Sequence, residues 1–443
     1  MARFPIVDAD SIKKLTLDAE ILLESLFPIM RSITGSGVRQ THKILHGFIP
    51  LVTTEVASGT KVLDWVIPEE WWIKDAKLVG PNNVDIINLS TNNLHVVNYS
   101  TGVDCEIDLE DLQSHLHSIP ELPNAIPYLT SYYSKSWGFC LTHEQRIKLI
   151  PGKYHAFINA GHKNGSLTYS VGELHGTTDK IVLFSTYTCH PQMANNELSG
   201  PIVSCLAYKL IEEYLPKRKF NYRFLFIPET IGSITYLSRH GDELKHNLLA
   251  GYVLTCIGDS GPYTLKRSRI GNSLADRAAK VVWKDYEAKN ECKVLNYFPM
   301  GSDERQYCSP GFNLPVAVLS RSIYGSYSHY HTSLDDLSFV SVDEIVNAAL
   351  RILKLAFVLE NNSYPVSLSQ YGEPNFSSRG LQSPLGAKRD RDLEVMSIKW
   401  ILNLADGEHD LIEISELSGI DPVIILNTTE KLVSNHLLEL KTH

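Results

Sequence analysis

The chain of 443 residues has no long apolar run. Stretches such as Ile181 to Phe184 and Leu225 to Ile227 are far too short to cross a bilayer, which takes about 20 residues as a helix. There is no excess of positive charge: 41 Lys and Arg stand against 50 Asp and Glu, a formal net charge of -9. That balance argues against general binding to nucleic acid or to anionic membranes. The seven cysteines, Cys105, Cys140, Cys189, Cys205, Cys256, Cys292 and Cys308, form no C-x-x-C pair and are odd in number. Reduced thiols in the core are the expectation. The opening MARFPIVDADSIKKL lacks the apolar core and small-residue cleavage site of a signal peptide, so the expected compartment is cytoplasmic. No internal repeat at solenoid spacing is visible, and 443 residues suit two or three domains.

Hydrophobic patterning divides what is there. Residues 10–50 read as two helices, the first carrying Leu15, Leu17, Ile21, Leu22, Leu26 and Ile29, the second spanning His42 to Phe48. From about Glu55 to Gly138, short strand-like runs alternate with breakers such as Gly80-Pro81-Asn82-Asn83. A small β-rich module over 56–144 is predicted, with Trp65, Trp71 and Trp72 in its core or in a lid. Across 145–360, apolar strands (Ile181 to Thr186, Tyr222 to Ile227, Gly251 to Ile257, Val316 to Ser320) alternate with helices (Ile202 to Tyr214, Ile231 to His240, Leu274 to Ala288, Val342 to Leu359). That alternation predicts an α/β domain, a mostly parallel sheet with helices on both faces, to which residues 1–55 belong. Residues 361–389 read as a linker. Residues 390–443 read as a winged helix: helices Leu393 to Leu404, Leu411 to Leu417 and Pro422 to Asn435, then a wing at Leu437 to Leu440. From Lys388 onward that module has six Lys or Arg against eleven Asp or Glu, and the helix that would serve for recognition offers only Lys431. Packing or partner contact, self-association included, is therefore expected of it, and not DNA binding.

Chemistry-bearing residues fall at the carboxyl ends of the predicted strands, where open α/β sheets place their ligands. They are Cys189-His190-Pro191-Gln192 with Ala194-Asn195-Asn196-Glu197-Leu198-Ser199-Gly200, then Pro228-Glu229-Thr230, Gly258-Asp259, Gly301-Ser302-Asp303-Glu304 and Tyr330-His331-Thr332-Ser333. A single His after a strand is more often structural, and a single Glu before a helix is more often a favourable first-turn charge. The joint pattern points to zinc: His and Asp are suitable ligands, and a Glu that does not ligate can deprotonate a metal-activated water.

This ordered series resembles the co-catalytic zinc aminopeptidases of the M28 type. More closely, the whole chain resembles the DUF4910 group, aminopeptidase-like proteins with an inserted β domain and a C-terminal winged helix. The resemblance implies a zinc aminopeptidase (phosphorylase/hydrolase-like) fold. It assigns His190 and Asp259 to one zinc, His331 to the other, and the role of general base to Glu229. Asn196 stands where the family pattern has a bridging Asp, Thr230 where it has a Glu ligand, and Gln192 where it has an acidic partner of the first His. Neutral oxygens bind zinc poorly, so one zinc is expected, held by His190 and Asp259 with His331 or Glu197. Asn196, Glu197 and Thr230 are candidate metal or substrate contacts. Asp303, Glu304, Arg305 and Tyr330 are candidate substrate contacts, Arg305 as a grip for a carboxylate. Tyr324, Tyr327 and Tyr330 are expected in a loop over the metal. Lys266 to Arg269 reads as a solvated turn, and Asp335-Asp336 as a cap or opening of the helix region after His331. The expected reaction is hydrolysis of an amide or peptide bond in a small aminoacyl substrate. The alternative is a binding or scaffold protein that keeps the fold.

Overall fold

The computed structural model describes residues 3–284, 286, 292–379 and 389–441. Eight strands form the main sheet: β1 Val52–Ala57, β2 Ser166–Leu174, β3 Ile181–Tyr187, β4 Asn221–Ile227, β5 Leu248–Leu254, β6 Thr264–Lys266, β7 Lys293–Leu295 and β8 Val316–Ser320. Their spatial order is β1-β2-β4-β3-β5-β8-β6-β7. The inner four, β4-β3-β5-β8, are parallel. The flanking pairs β1/β2, β2/β4 and β6/β8 are antiparallel, so the predicted parallel sheet is the centre of a mixed one. The short strands β6 and β7, next to and at the sheet edge, lie in polar sequence and carry no apolar run of their own to signal them.

Nine helices of the described residues matter for packing: α1 Ala9–Leu26, α2 Ser36–His46, α3 Ser199–Tyr214, α4 Ile231–Asn247, α5 Leu274–Trp283, α6 Val342–Asn361, α7 Arg389–Asn403, α8 Leu411–Ser418 and α9 Pro422–Ser434. The predicted extension of α5 to Ala288 lies outside the described residues. Alternate side chains of β3 enter two cores, as a doubly covered strand requires. Val182 and Phe184 pack with α1, α3, α5 and α6. Ile181 and Leu183 pack with Ile231, Ile234 and Leu237 of α4 and with the inserted module. Helix α6 is the chief buttress, with Ile345, Ile352, Leu353, Leu355 and Phe357 all buried. Each such side chain contributes roughly 1.5–3 kcal/mol of burial.

The inserted module is a four-stranded antiparallel sheet in the order Val84–Asn88, Glu70–Gly80, Lys153–Lys163, Val103–Asp108. Its third strand lies beyond the expected boundary at residue 144. Lys153–Lys163 alternates buried and exposed positions and pairs with strands on both of its sides, so the module reaches residue 163. Trp71 belongs to the module's core, stacked on Tyr99 with its indole N–H donating to the Ser100 carbonyl.

The linker expected over 361–389 is also shorter than predicted. Tyr364–Ser367 pairs antiparallel with the wing Leu438–Lys441, so the winged helix starts with that strand; residues 380–388 lie outside the described residues. Three cations of the main domain meet three acids of the winged helix: Arg277 with Asp410 at 2.7 Å, Lys280 with Glu416 at 2.6 Å and Lys354 with Asp421 at 2.5 Å. The acidic excess read in the sequence is thus partly an intramolecular docking surface. Lys431 itself pairs with Glu394. Among the described residues, no helix is long and apolar enough to cross a membrane.

Candidate active site

Three loops leave the carboxyl ends of parallel strands and bring their side chains together. The first follows β3 and carries Thr188 to Leu198, ending in a π-helical turn over Ala194–Leu198 that runs into α3. Such wide turns are frequent at functional sites. The turn is tied down by Asp335, which accepts the N–H groups of Asn195 and Asn196 at 2.6 and 2.8 Å. Asp335 therefore caps this loop, and not the helix region after His331 that the sequence suggested. Helix α3 starts tight against the sheet: a Cβ on Gly200 would lie 2.4 Å from the Leu254 carbonyl oxygen.

The second loop follows β4 and presents Glu229. Its neighbour Thr230 has φ +64°, a conformation that is an outlier for a β-branched residue. Asp303 holds it there, accepting the Thr230 N–H at 2.7 Å and the Ser233 hydroxyl at 2.8 Å through one oxygen. Gln192, Cys256 and His331 also have positive φ. Four strained non-glycine residues around one site mark it as functionally constrained.

The third contributor is the loop of His331, whose ring lies 5.3 Å from that of His190, centroid to centroid. The imidazole of His190 is oriented from behind. Its Nδ1 is 2.8 Å from Glu197 Oε2, and its Nε2 faces Glu229 Oε2 at 3.5 Å. Arg31, fully buried, lies 3.9 Å from the other Glu197 oxygen and donates to the His190 carbonyl at 2.8 Å. Glu197 is therefore the carboxylate partner of His190, in place of the expected metal or substrate contact. It does what an acidic residue at position 192 would do in the family pattern, while Gln192 accepts the Asn93 N–H.

Burial dominates the charge states. It lowers His190 to about 3, with Arg31 adding to the shift, and His331 to about 3, with His190 adding. Both rings are neutral at physiological pH and keep a lone pair. Burial pushes Glu197 up to about 8 against the pull of Arg31; a cation on His190 Nε2 and the Arg31 guanidinium both favour its carboxylate form, which accepts from Nδ1–H. Glu229 is raised well above the carboxylate range by burial and then by Asp303, with Arg305 opposing. Burial likewise raises Asp303 to about 6.

Asp259 does not join the two imidazoles. Its carboxylate is engaged by Asn195 Nδ2 at 2.8 Å, the Ser322 hydroxyl and the Gly261 N–H, both at 2.6 Å, and the Ser322 N–H at 3.2 Å. In this structure those hydrogen bonds latch the loop after β5. Among the described residues, one set of three or more His, Cys, Asp or Glu has its ligand atoms within 4.8 Å of one another: Cys189, His190 and Glu197. That set lies on the Nδ1 side of His190, where the Arg31 charge already sits, so a metal cation is disfavoured there. The opposite side fits one cation better. It has the Nε2 of His190 and the neutral ring of His331; Tyr187, whose ring lies 5.2 Å from that of His190, accepts from Asn196 Nδ2 at 2.9 Å, and the buried Oδ1 of Asn196 has no partner. A second cation would have only the neutral oxygens of Asn196 and Thr230 to hold it.

Other expectations shift as well. Glu304 is no substrate contact: it is fully buried and paired with Lys266 at 2.5 Å. Lys266, expected in a solvated turn, is buried under Phe298, Tyr297 and Tyr324 and also donates to the Met300 carbonyl. Tyr324 therefore serves that pair, and Tyr327 contacts Cys256. Tyr330 stacks on His331 at 3.9 Å. Sequence reasoning missed Tyr128, whose ring lies 5.0 Å from His190 and 5.3 Å from His331. It roofs the pair because its N–H donates to the His331 carbonyl, while Ser333 N–H donates to Ile126. Arg31 was missed too, and neither residue has a motif around it that would have drawn notice.

With the site in place, the relatives can be set beside it. A family described as a domain of unknown function, DUF4910, matches residues 21–362, and a winged helix-turn-helix family matches residues 363–440. The chain belongs to the DUF4910 family. This DUF4910 protein is 41% identical over 419 residues, 95% of each chain, to a Clostridium acetobutylicum protein provisionally named for polysaccharide biosynthesis with an aminopeptidase-like domain. It is also similar to a crystal structure, from the same organism, of a protein provisionally called a peptidase, with TM-score 0.89, 40% identity and 98% of each chain covered. A zinc aminopeptidase from Bacillus subtilis matches with TM-score 0.57 and 11% identity, over 81% of this chain and 96% of that one. At that identity the likeness establishes the fold: the DUF4910 chain has the aminopeptidase architecture with a winged helix appended.

Proposed function

We propose that the protein is a zinc-dependent hydrolase of the aminopeptidase type, cleaving an amide or peptide bond of a small aminoacyl substrate. The observation that carries this reading is the orientation of His190: Glu197 holds its Nδ1, and its Nε2 is left facing Glu229 at 3.5 Å. A ligating histidine fixed through its other nitrogen by a carboxylate is the usual support of a catalytic metal site. His190 and His331 would hold the ion, with the unpartnered Asn196 oxygen as the candidate third ligand. When bound, zinc supplies Lewis acidity that polarises the scissile carbonyl and makes water easier to deprotonate.

The remaining work falls to the chain's own groups. Glu229 accepts the proton of the attacking water on its carboxylate and returns it to the leaving amine. Burial and Asp303 raise Glu229 while Arg305 opposes them; the positive charge of a bound metal would add to Arg305 in favouring the carboxylate form that the first transfer needs. Asp303 holds the strained turn that presents Glu229, and Tyr128 and Tyr330 wall the two imidazoles. The roof built by the inserted module limits the site to small substrates.

Neutral Asn196 and Thr230 favour a second reading, a binding protein that keeps the fold without turnover. A panel of aminoacyl anilides, small amides, dipeptides and acylated amino acids, assayed with zinc against wild type and Glu229→Gln, separates the two. The expected result is hydrolysis by wild type and a loss of roughly 10²–10⁴-fold in the variant. Equal rates in both proteins reject Glu229 as the base, and no hydrolysis across the panel favours the binding protein.

A further inference from the structure

Arg305 is the one strongly charged group of the candidate site for which the proposed hydrolysis has no use. Its Nη2 donates to Thr230 Oγ1 at 2.8 Å, so the guanidinium lies over the turn that presents Glu229. Its Nε is buried and meets no protein acceptor. It acts electrostatically on Glu229, Asp303 and Tyr330, which places the charge inside the site and not at a distant surface. The nearby acids do not bond to it. Glu304 pairs through one oxygen with Lys266, and Asp303 gives one oxygen to the Thr230 N–H and the Ser233 hydroxyl, the second oxygen of each acid being buried without a hydrogen bond to Arg305. A buried guanidinium donor without an acceptor is an incomplete recognition element, because leaving it unmade is unfavourable.

The opposite charge is thin where a free amino group would need it. An α-ammonium group is received by carboxylates, yet the positions that would add them beside Glu229 hold neutral Asn196 and Thr230. Arg305 is therefore the cationic donor beside Glu229 that a substrate anion would meet.

We infer that Arg305 is a carboxylate-recognition residue, and that the substrates are amides bearing a free carboxylate beside the bond cleaved, such as acylated amino acids or dipeptides. This inference rests on the proposed hydrolase reading for its place in a reaction, but the geometry of Arg305 stands without it. Planar guanidinium donors suit carboxylates, and a charged hydrogen bond of this kind is worth roughly ten- to a hundredfold in affinity.

Calorimetric binding of two stable probes tests the inference apart from turnover. N-acetylalanine and its C-terminal amide, N-acetylalaninamide, differ in the carboxylate alone. Full-length zinc-loaded protein carrying Glu229→Gln is titrated with each, so that neither probe is consumed. The acid should bind roughly ten- to a hundredfold tighter than the amide, and adding Arg305→Gln should bring that ratio close to one, with Arg305→Lys between. Circular dichroism melts confirm that the variants are folded. Equal binding of acid and amide, binding of neither, or a ratio untouched by Arg305→Gln overturns the inference. A carboxylate preference with no hydrolysis by wild type would leave Arg305 assigned and remove the hydrolase reading; hydrolysis of neutral amides without a preference would do the reverse.

Discussion

The behaviour of the candidate site is decided by partners that sit behind the residues with a chemical role. His190 is useful to a cation only if its Nδ1 is held, and Glu197 holds it at 2.8 Å with Arg31 behind. Glu197→Gln keeps the shape and removes the charge. It should weaken zinc binding by roughly 10- to 100-fold, measured by competition with a chromogenic chelator; an unchanged affinity would show that Glu197 merely fills space. Asp335 makes a pH-dependent contribution. Burial raises its carboxyl to about 7, against the pull of the Asn195 and Asn196 N–H groups, from an ordinary value of 3.8. Between those values the folded chain keeps a proton that the unfolded chain releases, so this group's contribution to stability falls as pH rises from about 4 to 7. Asp335→Asn should flatten that decline, seen as urea midpoints that differ less between pH 5 and pH 7 than in wild type. An unaltered slope would place the titration elsewhere.

The strands and helices fix where those residues point. The parallel strands β3, β4 and β5 end level with one another, so the loops that follow them converge by construction. Helix α3 presses on this edge at Gly200, where an added Cβ would meet the Leu254 carbonyl oxygen at 2.4 Å. Backbone cannot give way as a side chain can. Gly200→Ala should cost about 1–3 kcal/mol, read as a lowered thermal midpoint, and it should disturb the turn carrying Asn196. A midpoint equal to wild type would mean that α3 has room to shift. These elements were legible from period and breakers: β8 matches its predicted span residue for residue, and Ile181–Tyr187 and Val342–Asn361 differ only at their ends. The strand Lys153–Lys163 was not assigned to the inserted module, because nothing local says which sheet an alternating strand will join.

The whole molecule adds the docking of the winged helix on the main domain. Arg277 and Asp410 form the most buried of the three contacts, with two hydrogen bonds at 2.9 and 2.7 Å. A double-mutant cycle on Arg277→Ala and Asp410→Ala should return a coupling of about 0.5–3 kcal/mol in urea unfolding. A value near zero would make the contact incidental. The winged-helix core is continuous with the core on the α1, α3 and α6 face, through Ile398, Ile401, Leu411 and Leu426. The module is therefore a structural part of the fold.

Order along the chain was enough to place His190, Glu229 and His331 after strands, to separate an α/β domain from an inserted β module, and to read a C-terminal winged helix. Those features depend on local period and on the sequence of elements, both of which the residues carry themselves. The folded chain alone decided the rest. Arg31 meets His190 across 159 positions, Lys266 finds Glu304 across 38, and Asp259 turns to Asn195 and Ser322 and away from the imidazoles. Charge pairing and burial depend on distance in space, so a Lys in a basic cluster became a buried ion pair.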